Sequence, residues 1–215
     1  MPGLKNLDYL LVDTKNLLLT LIESAVFLRN YVLVGGSALA LHLCHRKSED
    51  LDFFTYSDSF NKEEIFAYLK AFEHKEIINQ SNVQIDVLIN GVKVTFFNAK
   101  WTFLKPEKIE AFNLSPIKAI AAMKVNTLFL RAQYRDYYDL YFIAKSALTL
   151  KEIFESSQGI VEGISFKLFA VALVYIDDID DDNILHLDPA VDISKNEIRA
   201  YFEEELKKKG SGIYF

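Results

Sequence analysis

Residues 31–56 constrain the fold of this 215-residue chain more than any other stretch. The segment opens with an apolar, β-branched run (YVLV) that ends at Gly35 and Gly36, which predicts a buried strand followed by a tight turn. Ser37 can cap the short helix that the good helix formers after it predict. A second strand is expected over residues 51–56. The pattern therefore predicts two neighbouring strands of a small sheet, joined through a glycine turn and a helix.

The rest of the chain changes from mixed to purely helical character near its middle. Helical spacing of apolar residues predicts one helix over residues 8–29 and another over residues 61–74. Alternating, β-rich runs flank Asn90-Gly91, the commonest two-residue hairpin signal. Every later pattern is helical. We therefore expect an α+β fold, with a small mixed sheet and its flanking helices followed by a helical C-terminal half, divided into residues 1–104 and 105–215.

Composition and charge exclude several classes of protein. Hydrophobic residues make up 51% of the chain, which is enough for a sizeable core. The formal net charge is −6, and the segment 177–188 alone carries six aspartates, so a global basic field for nucleic acid is absent. The single cysteine, Cys44, excludes an intramolecular disulfide and a paired-cysteine zinc site.

The pattern of apolar residues also bears on location. The longest apolar run covers residues 168–176, which is far shorter than the roughly 20 residues that a membrane span needs. The N-terminal residues lack the pattern of a secretory signal peptide. We expect a soluble, cytoplasmic protein that does not bind membranes.

The glycine turn is a candidate phosphate site. Gly35 and Gly36 have no Cβ, so the backbone can come close to a ligand above the turn. The helix that follows would present unpaired N–H groups and the positive end of its dipole. Helix caps and ordinary tight turns use the same residues, so the turn alone is a weak signal.

Asp50 and Asp52 strengthen the case because residues i and i+2 of a strand point to the same face. Their Cα atoms would lie about 6.5 Å apart, and two such carboxylates repel each other unless divalent cations neutralise them. Magnesium, or manganese, suits such an oxygen-lined site better than zinc does. An isolated pair of this kind is more often a solvated strand end. A Gly-Gly-Ser turn whose serine is followed 13 residues later by Asp-Leu-Asp favours the metal site.

This joint pattern resembles the DNA polymerase β-like nucleotidyltransferase superfamily, and within it the AbiEii nucleotidyltransferase toxins. Members of that family read GGTALAL and then a histidine-arginine pair, a serine and two aspartates before two phenylalanines. The matching positions here are Gly35-Gly36-Ser37, His45-Arg46, Ser48, Asp50, Asp52 and Phe53-Phe54.

A second block extends the resemblance into the helical half. The family has a helix with the pattern A-A-x-K and then a run close to K/R-D-x-x-D-L-Y, which match residues 121–124 and 135–141. The resemblance implies that Lys124 contacts nucleotide phosphate. It also implies that Asp136 and Asp139 complete the active-site cleft from the helical half, where Arg135 can pair with Asp139.

The resemblance adds roles for two residues and raises the question of a third carboxylate. It implies that Arg46 and Ser48 hold phosphate or orient Asp50. Many enzymes of this fold place another carboxylate on a later strand, and Asp86 is the candidate for a further metal ligand. The other strand of the hairpin offers Thr95 at the expected position, and a solvent-facing role for Asp86 is the alternative.

The expected function is transfer of a nucleoside monophosphate (NMP) from a nucleoside triphosphate (NTP) to an acceptor, with one of the strand carboxylates or Asp136 as the base. The resemblance implies the toxin of a type IV toxin–antitoxin or phage-defence pair, with a cognate antitoxin and an RNA such as tRNA as acceptor. Lys100, Lys105 and Lys108 would supply the local basic strip that RNA requires. The alternatives are transfer to a small molecule or a protein side chain, and a non-catalytic binding platform of the same fold.

Overall fold

The computed structural model describes residues 5–106, 109–110, 112–179 and 184–210. The chain divides into two compact units, Met1–Pro116 and Ile117–Phe215. The first unit contains all five strands, and the second contains only helices among its described residues. This architecture confirms the predicted α+β class.

The sheet of the first unit has the strand order β1-β2-β5-β4-β3. Only β2 and β5 are parallel, and the three other neighbouring pairs are antiparallel, so the sheet is mixed as predicted. The strands are β1 (Tyr31–Val34), β2 (Leu51–Thr55), β3 (Lys75–Gln80), β4 (Gln84–Ile89) and β5 (Val92–Asn98).

Three helices belong to this unit, and their ends differ from the sequence predictions. They are α1 (Val12–Ser24), α2 (Gly35–Leu43) and α3 (Lys62–Leu69). The single helix predicted over residues 8–29 is wrong, because 3₁₀ turns at Leu7–Tyr9 and Val26–Asn30 flank α1. The break before α1 has a tertiary cause. The backbone of Tyr9 and Leu11 bonds on both sides of Ser48, which keeps this part of the chain extended.

The hairpin between β4 and β5 confirms the prediction made from Asn90-Gly91. Both turn residues have positive φ, 50° and 86° respectively, and asparagine and glycine tolerate this conformation better than other residues. Strand β3 was not predicted. Its side chains are all exposed, so its sequence shows no alternation between buried and solvated positions.

The two faces of the sheet differ in character. One face carries the row Leu33, Phe53, Phe96 and Ile85, all at most 1% exposed, which forms the core. Rings outside the sheet or at its margin add to this core: Phe27 lies 5.8 Å from Phe96 and 5.9 Å from Tyr31. Register places the row Val34, Asp52, Thr95, Asp86 and Asn79 on the opposite face.

The described residues of the second unit form five α-helices, and fully buried aromatic side chains such as Tyr137, Phe169 and Phe202 lie among them. The Tyr137 hydroxyl donates to the carbonyl oxygens of Ala172 and Tyr175, and burial raises its pKa far above the ordinary value. No helix within the described ranges is long and apolar enough to cross a bilayer. The helices are α4 (Ile117–Leu130), α5 (Tyr134–Ser146), α6 (Leu150–Ser157), α7 (Phe166–Val174) and α8 (Lys195–Gly210).

Candidate functional site

The glycine turn lies directly against Asp52. Gly35 has a φ of +70° and begins helix α2, and a β-carbon placed on it would lie only 2.5 Å from Asp52 Oδ2. A β-carbon on Gly36 would lie 2.8 Å from an Arg46 guanidinium nitrogen and 3.1 Å from Ser48 Oγ. Position 35 therefore needs glycine, because Asp52 occupies the space where a side chain would begin, whereas a side chain at position 36 would require Arg46 and Ser48 to shift.

Ser37 anchors this turn in a way that the sequence did not predict. Its predicted role as helix cap is wrong, because α2 already begins at Gly35 and Val34 is the capping residue. The Ser37 hydroxyl instead donates to the backbone carbonyl oxygen of Asp50. The first turn of α2 is thus tied to the segment that leads into β2.

Asp50 and Asp52 occupy the start of β2. Asp52 lies within the strand, and Asp50 directly precedes the first residue of the strand, Leu51. Both are partly exposed, whereas Leu51 and Phe53 between and after them are at most 1% exposed. This alternation supports the prediction that the two carboxylates lie on the side of the sheet away from the core.

Asp86 shares the sheet face with Asp52 but lies two strands away. Thr95 on β5 pairs with Asp52 on one side and with Asp86 on the other, so the two aspartates are roughly 10 Å apart across the strands. Asp86 is 7% exposed and accepts hydrogen bonds from Asn79 Nδ2 at 3.1 Å and from Gln84 Nε2 at 2.8 and 2.9 Å. These amides already satisfy its carboxylate.

The donor set at Asp50 and Asp52 fits magnesium. Across the described parts of the chain, no group of three or more His, Cys, Asp or Glu residues is arranged to hold a metal ion. Magnesium is usually held by one or two carboxylates together with substrate phosphates and water, and it needs no cage of protein ligands. A carboxylate pair beside a glycine turn meets this requirement.

The loop before β2 is hydrogen-bonded to the N-terminal segment. Arg46 and Ser48 are at most 5% exposed. Ser48 N–H donates to the carbonyl oxygen of Tyr9 at 3.0 Å, and Thr14 Oγ1 donates to the carbonyl oxygen of Glu49 at 2.7 Å. The positioning role of Tyr9 and Thr14 was not predicted, because nothing in a single sequence links positions that lie about 35 residues apart.

The predicted residues of the helical unit form a cluster of their own. Lys124 Nζ lies 2.8 Å from Asp136 Oδ1 and 2.7 Å from Asp139 Oδ2. Both aspartates are fully buried, and the Lys124 side chain is 10% exposed. The other Asp136 oxygen accepts from the backbone N–H of Gln133 at 3.2 Å and completes a capping box at the start of α5. Arg135 Nε donates to Gln133 Oε1 at 3.0 Å.

The residues around the glycine turn (Gly35, Gly36, Arg46, Asp50 and Asp52), which we call the first cluster, lie in a segment that matches a known protein family. Residues 17–110 match the model of the family described as "Nucleotidyl transferase AbiEii toxin, Type IV TA system". This segment is similar to the AbiEii nucleotidyltransferase family. The predicted family resemblance is confirmed, and the AbiEii segment contains the whole cluster around the glycine turn. Lys124, Asp136 and Asp139 lie beyond it, and their roles stay predictions.

Other proteins resemble this chain over most of its length. The chain is 28% identical over 184 residues to "Uncharacterized protein aq_aa25" of Aquifex aeolicus, an alignment that covers 83% of this chain and 87% of the relative. A putative nucleotidyltransferase from Helicobacter pylori has a similar structure, with a TM-score of 0.51 at 19% identity over 93% of this chain and 98% of that one. MenT4, a nucleotidyltransferase toxin from Mycobacterium tuberculosis, has a TM-score of 0.55 at 16% identity, covering 91% and 86% of the two chains. These structural likenesses establish the fold.

Proposed function

We propose that the protein is a magnesium-dependent nucleotidyltransferase that moves an NMP from an NTP to an acceptor. The close approach of Gly35 to Asp52 Oδ2 carries the proposal. It sets a turn that can hold phosphate beside a carboxylate that can hold a metal, and nucleotidyl transfer needs these two functions side by side. A purely structural turn would not need an acidic partner.

In the proposed reaction, each residue of the first cluster has a role. The N–H groups at the start of α2, with the positive end of the helix dipole, would bind the phosphates of the NTP. Arg46 lies against Gly36 and would add positive charge there. Asp50 and Asp52 would hold the metal, which supplies charge neutralisation for the phosphate oxygens when it is bound.

The chemical step is an in-line displacement at the α-phosphorus. An acceptor oxygen forms a bond to that phosphorus, and the bond to the bridging oxygen of the β-phosphate breaks, which releases pyrophosphate. The acceptor proton passes to a carboxylate. Asp50 and Asp52 suit this role better than Asp136, because Asp136 is fully buried and paired with Lys124. Rate acceleration would come mainly from positioning and from charge stabilisation.

The biological role that we propose is that of a type IV toxin acting with a cognate antitoxin. The family description of residues 17–110 supports this role. An RNA, such as the acceptor end of a tRNA, is the proposed acceptor. Of the predicted basic strip, Lys100 and Lys105 are exposed, and Lys108 lies outside the described residues.

Ligand-induced thermal stabilisation tests the core of the proposal. An NTP with Mg²⁺ is expected to raise the melting temperature of the wild-type protein, because a ligand that binds only the folded state stabilises it. Asp52→Asn should lose most of this shift. Asp8→Asn is the matched control, because the side chain of Asp8 is 91% exposed and should not affect binding. An unchanged shift in Asp52→Asn would contradict the metal site.

Asp86→Asn tests whether the metal is held by Asp50 and Asp52 alone or by these two residues together with Asp86. If Asp50 and Asp52 suffice, this variant keeps the NTP-dependent shift, whereas a metal ligand at Asp86 would make the shift smaller. A wild-type protein without any shift for the four common NTPs would favour the non-catalytic platform.

The class of acceptor is tested by following the label from a radioactive NTP. Label in RNA after incubation with total RNA supports the toxin proposal. Label in protein or in a small molecule instead would support the alternative acceptors. Asp52→Asn is the negative control in each case.

A further inference from the structure

Four aromatic side chains form a partly exposed patch on the first unit. Phe54 lies on β2 and Phe97 on β5, with ring centroids 4.9 Å apart. Trp101 lies 6.1 Å from Phe54, and Phe103 stacks on Trp101 at 5.6 Å with an angle of 21° between the rings. Phe103 is 44% exposed, and the three other members are half-buried. We call Phe54, Phe97, Trp101 and Phe103 the aromatic patch.

The aromatic patch lies on the same sheet face as Asp52. Phe54 follows Asp52 by two residues in β2, so both side chains point to the same side at a Cα separation of about 6.6 Å. Phe97 continues this face on the neighbouring strand, because it pairs with Phe54 in the register of β2 and β5. The patch therefore borders the candidate metal site within one unit of the protein.

Strand register shows on which side of Asp52 the patch lies. Strand β1 is antiparallel to β2, with Val34 opposite Asp52 and Val32 opposite Phe54. The glycine turn follows Val34 and is bonded to Asp50, so it lies towards the start of β2. Phe54 lies in the opposite direction. Asp52 is thus placed between the phosphate-binding turn and the aromatic patch.

Two exposed lysines lie next to the stacked rings of the patch in sequence. Lys100 has a φ of 52°, and its backbone N–H donates to Asn98 Oδ1 at 3.2 Å, which forms a tight turn after β5. This turn brings Trp101 back to Phe54. Lys100 and Lys105 flank the two stacked rings in sequence, and both are exposed. Aromatic rings interleaved with cations are the combination that binds single-stranded nucleic acid.

We propose that the aromatic patch stacks an unpaired base of a single-stranded nucleic-acid acceptor, with Lys100 and Lys105 contacting its phosphates. This inference rests on the proposed function, because it uses the direction of the transfer reaction. In an in-line displacement the acceptor enters opposite the leaving pyrophosphate. If pyrophosphate leaves at the glycine turn, the acceptor enters from the other side of Asp52, where the aromatic patch lies.

Trp101 provides a direct measurement, because it is the only tryptophan of the chain. A short single-stranded oligoribonucleotide should quench its fluorescence when a base stacks on the patch. An abasic oligonucleotide of the same length carries the same phosphates without bases and should quench little. This pair of probes separates stacking from charge attraction, and it requires neither NTP nor metal.

Phe103→Ala is the variant that tests the patch. Stacking on an aromatic side chain contributes enough that its removal should weaken oligonucleotide binding about tenfold or more. Phe129→Ala is the matched control, because Phe129 is 42% exposed and belongs to α4. It should bind like the wild type. Phe103→Tyr keeps the ring and should bind like the wild type, and an unchanged melting temperature of Phe103→Ala would exclude misfolding as the cause of its loss.

Two results would overturn the inference. Equal quenching by the abasic and the normal oligonucleotide would show that bases do not stack on the patch. Quenching by an NTP that also displaces the oligonucleotide would assign the patch to the donor nucleotide. Failure of the proposed function appears separately, as the absence of an Mg²⁺-dependent NTP shift, so the two failures are distinguishable.

Discussion

Gly35 has two properties that no other residue could combine at its position. Its φ of +70° lies in the left-handed region, and its missing β-carbon leaves room for Asp52 Oδ2. At this φ, any residue with a side chain would be strained, which lowers the stability of the protein. Near Asp52, a β-carbon would also clash with the carboxylate. The two effects can be measured apart, because the chain contains another glycine with the first property alone.

Gly35→Ala should abolish nucleotide binding and lower the free energy of unfolding by at least about 1–2 kcal/mol. Gly163→Ala is the control, since Gly163 also has a φ of +70° but a β-carbon there would meet nothing within 4 Å. It should lose similar stability from strain and keep nucleotide binding. Chemical denaturation and calorimetric titration with Mg²⁺ and an NTP measure both quantities. Equal nucleotide affinity in the two variants would show that nucleotide binding does not depend on the close approach of Gly35 to Asp52.

Lys124 compensates two buried carboxylates, whatever else it does. Lys124→Met should therefore destabilise the protein by about 3–5 kcal/mol, because Asp136 and Asp139 would be left buried and poorly compensated. Lys151→Met is the control, since Lys151 forms an exposed pair with Glu155 and should cost at most about 0.5 kcal/mol. Urea denaturation gives both values.

A second variant separates the structural role of Lys124 from its predicted role with nucleotide. Combining Lys124→Met with Asp136→Asn and Asp139→Asn removes the uncompensated charges and should recover part of the stability. Retained nucleotide affinity in this triple variant would contradict the predicted contact of Lys124 with phosphate. Lost affinity in a folded triple variant would support a contact between the nucleotide and this group of three residues.

At the level of elements, the N-terminal segment supports the loop that leads to Asp50. Residues 9–14 contribute a backbone pairing to Ser48 and the Thr14 hydroxyl to the carbonyl of Glu49. Thr14 is 1% exposed, so its hydrogen bond is shielded from water. The segment itself contains none of the residues predicted to touch substrate.

Thr14→Val keeps the shape of the side chain and removes its hydroxyl. The Glu49 carbonyl would lose its donor, so we expect a loss of about 1–2 kcal/mol in the free energy of unfolding and a severalfold lower nucleotide affinity. Thr20→Val is the control, because the Thr20 hydroxyl bonds only to Asn16 O within the same exposed helical turn. An effect on affinity from Thr20→Val as large as that from Thr14→Val would contradict the positioning role.

The elements that the sequence predicted correctly are those with a local cause. The β4–β5 hairpin follows from the conformational preference of Asn90-Gly91, and β1 and β2 follow from short apolar runs beside special turns. Strand β3 forms through pairing with β4 while all its side chains stay exposed, so no hydrophobic pattern marks it. The break before α1 depends on Ser48, which is distant in sequence.

The candidate site shows the same division between local and tertiary information. The glycine turn and the two aspartates could be predicted, because their spacing in sequence carries the chemistry. The hydrogen bond from Ser37 to Asp50 and the amides around Asp86 could not, because they depend on tertiary contacts or on strand register. The aromatic patch was not predicted, because Phe54 and Trp101 are far apart in sequence, with strands β3, β4 and β5 between them.

For the whole molecule, charge limits how nucleic acid can bind. The net charge of −6 repels a polyanion, so affinity must come from the bases and from few phosphate contacts. This balance differs from that of proteins with a broad basic surface. Because few phosphates are contacted, the affinity for nucleic acid should depend only weakly on salt concentration.

If Lys100 and Lys105 neutralise two phosphates, the dissociation constant for a single-stranded oligonucleotide should rise about sevenfold between about 50 and about 200 mM salt. Replacing both lysines by alanine should weaken binding and nearly remove this dependence. Fluorescence titration of Trp101 at each salt concentration measures the dissociation constant and thus its dependence on salt. A slope several times steeper would show that many more cations contact the strand.

The two outer strands of the sheet are protected by different means. Beside β1, the segment 113–115 bonds to both backbone groups of Leu33, so that edge offers little to another chain. The β3 edge carries Lys75 and Glu76, and its pairing with β4 shifts register between Ile77 and Asn79. Charges and such irregularities interrupt the regular spacing that a further strand would need. Neither margin of the sheet therefore offers a regular template for a further strand, which lowers the tendency of the folded protein to aggregate edge to edge.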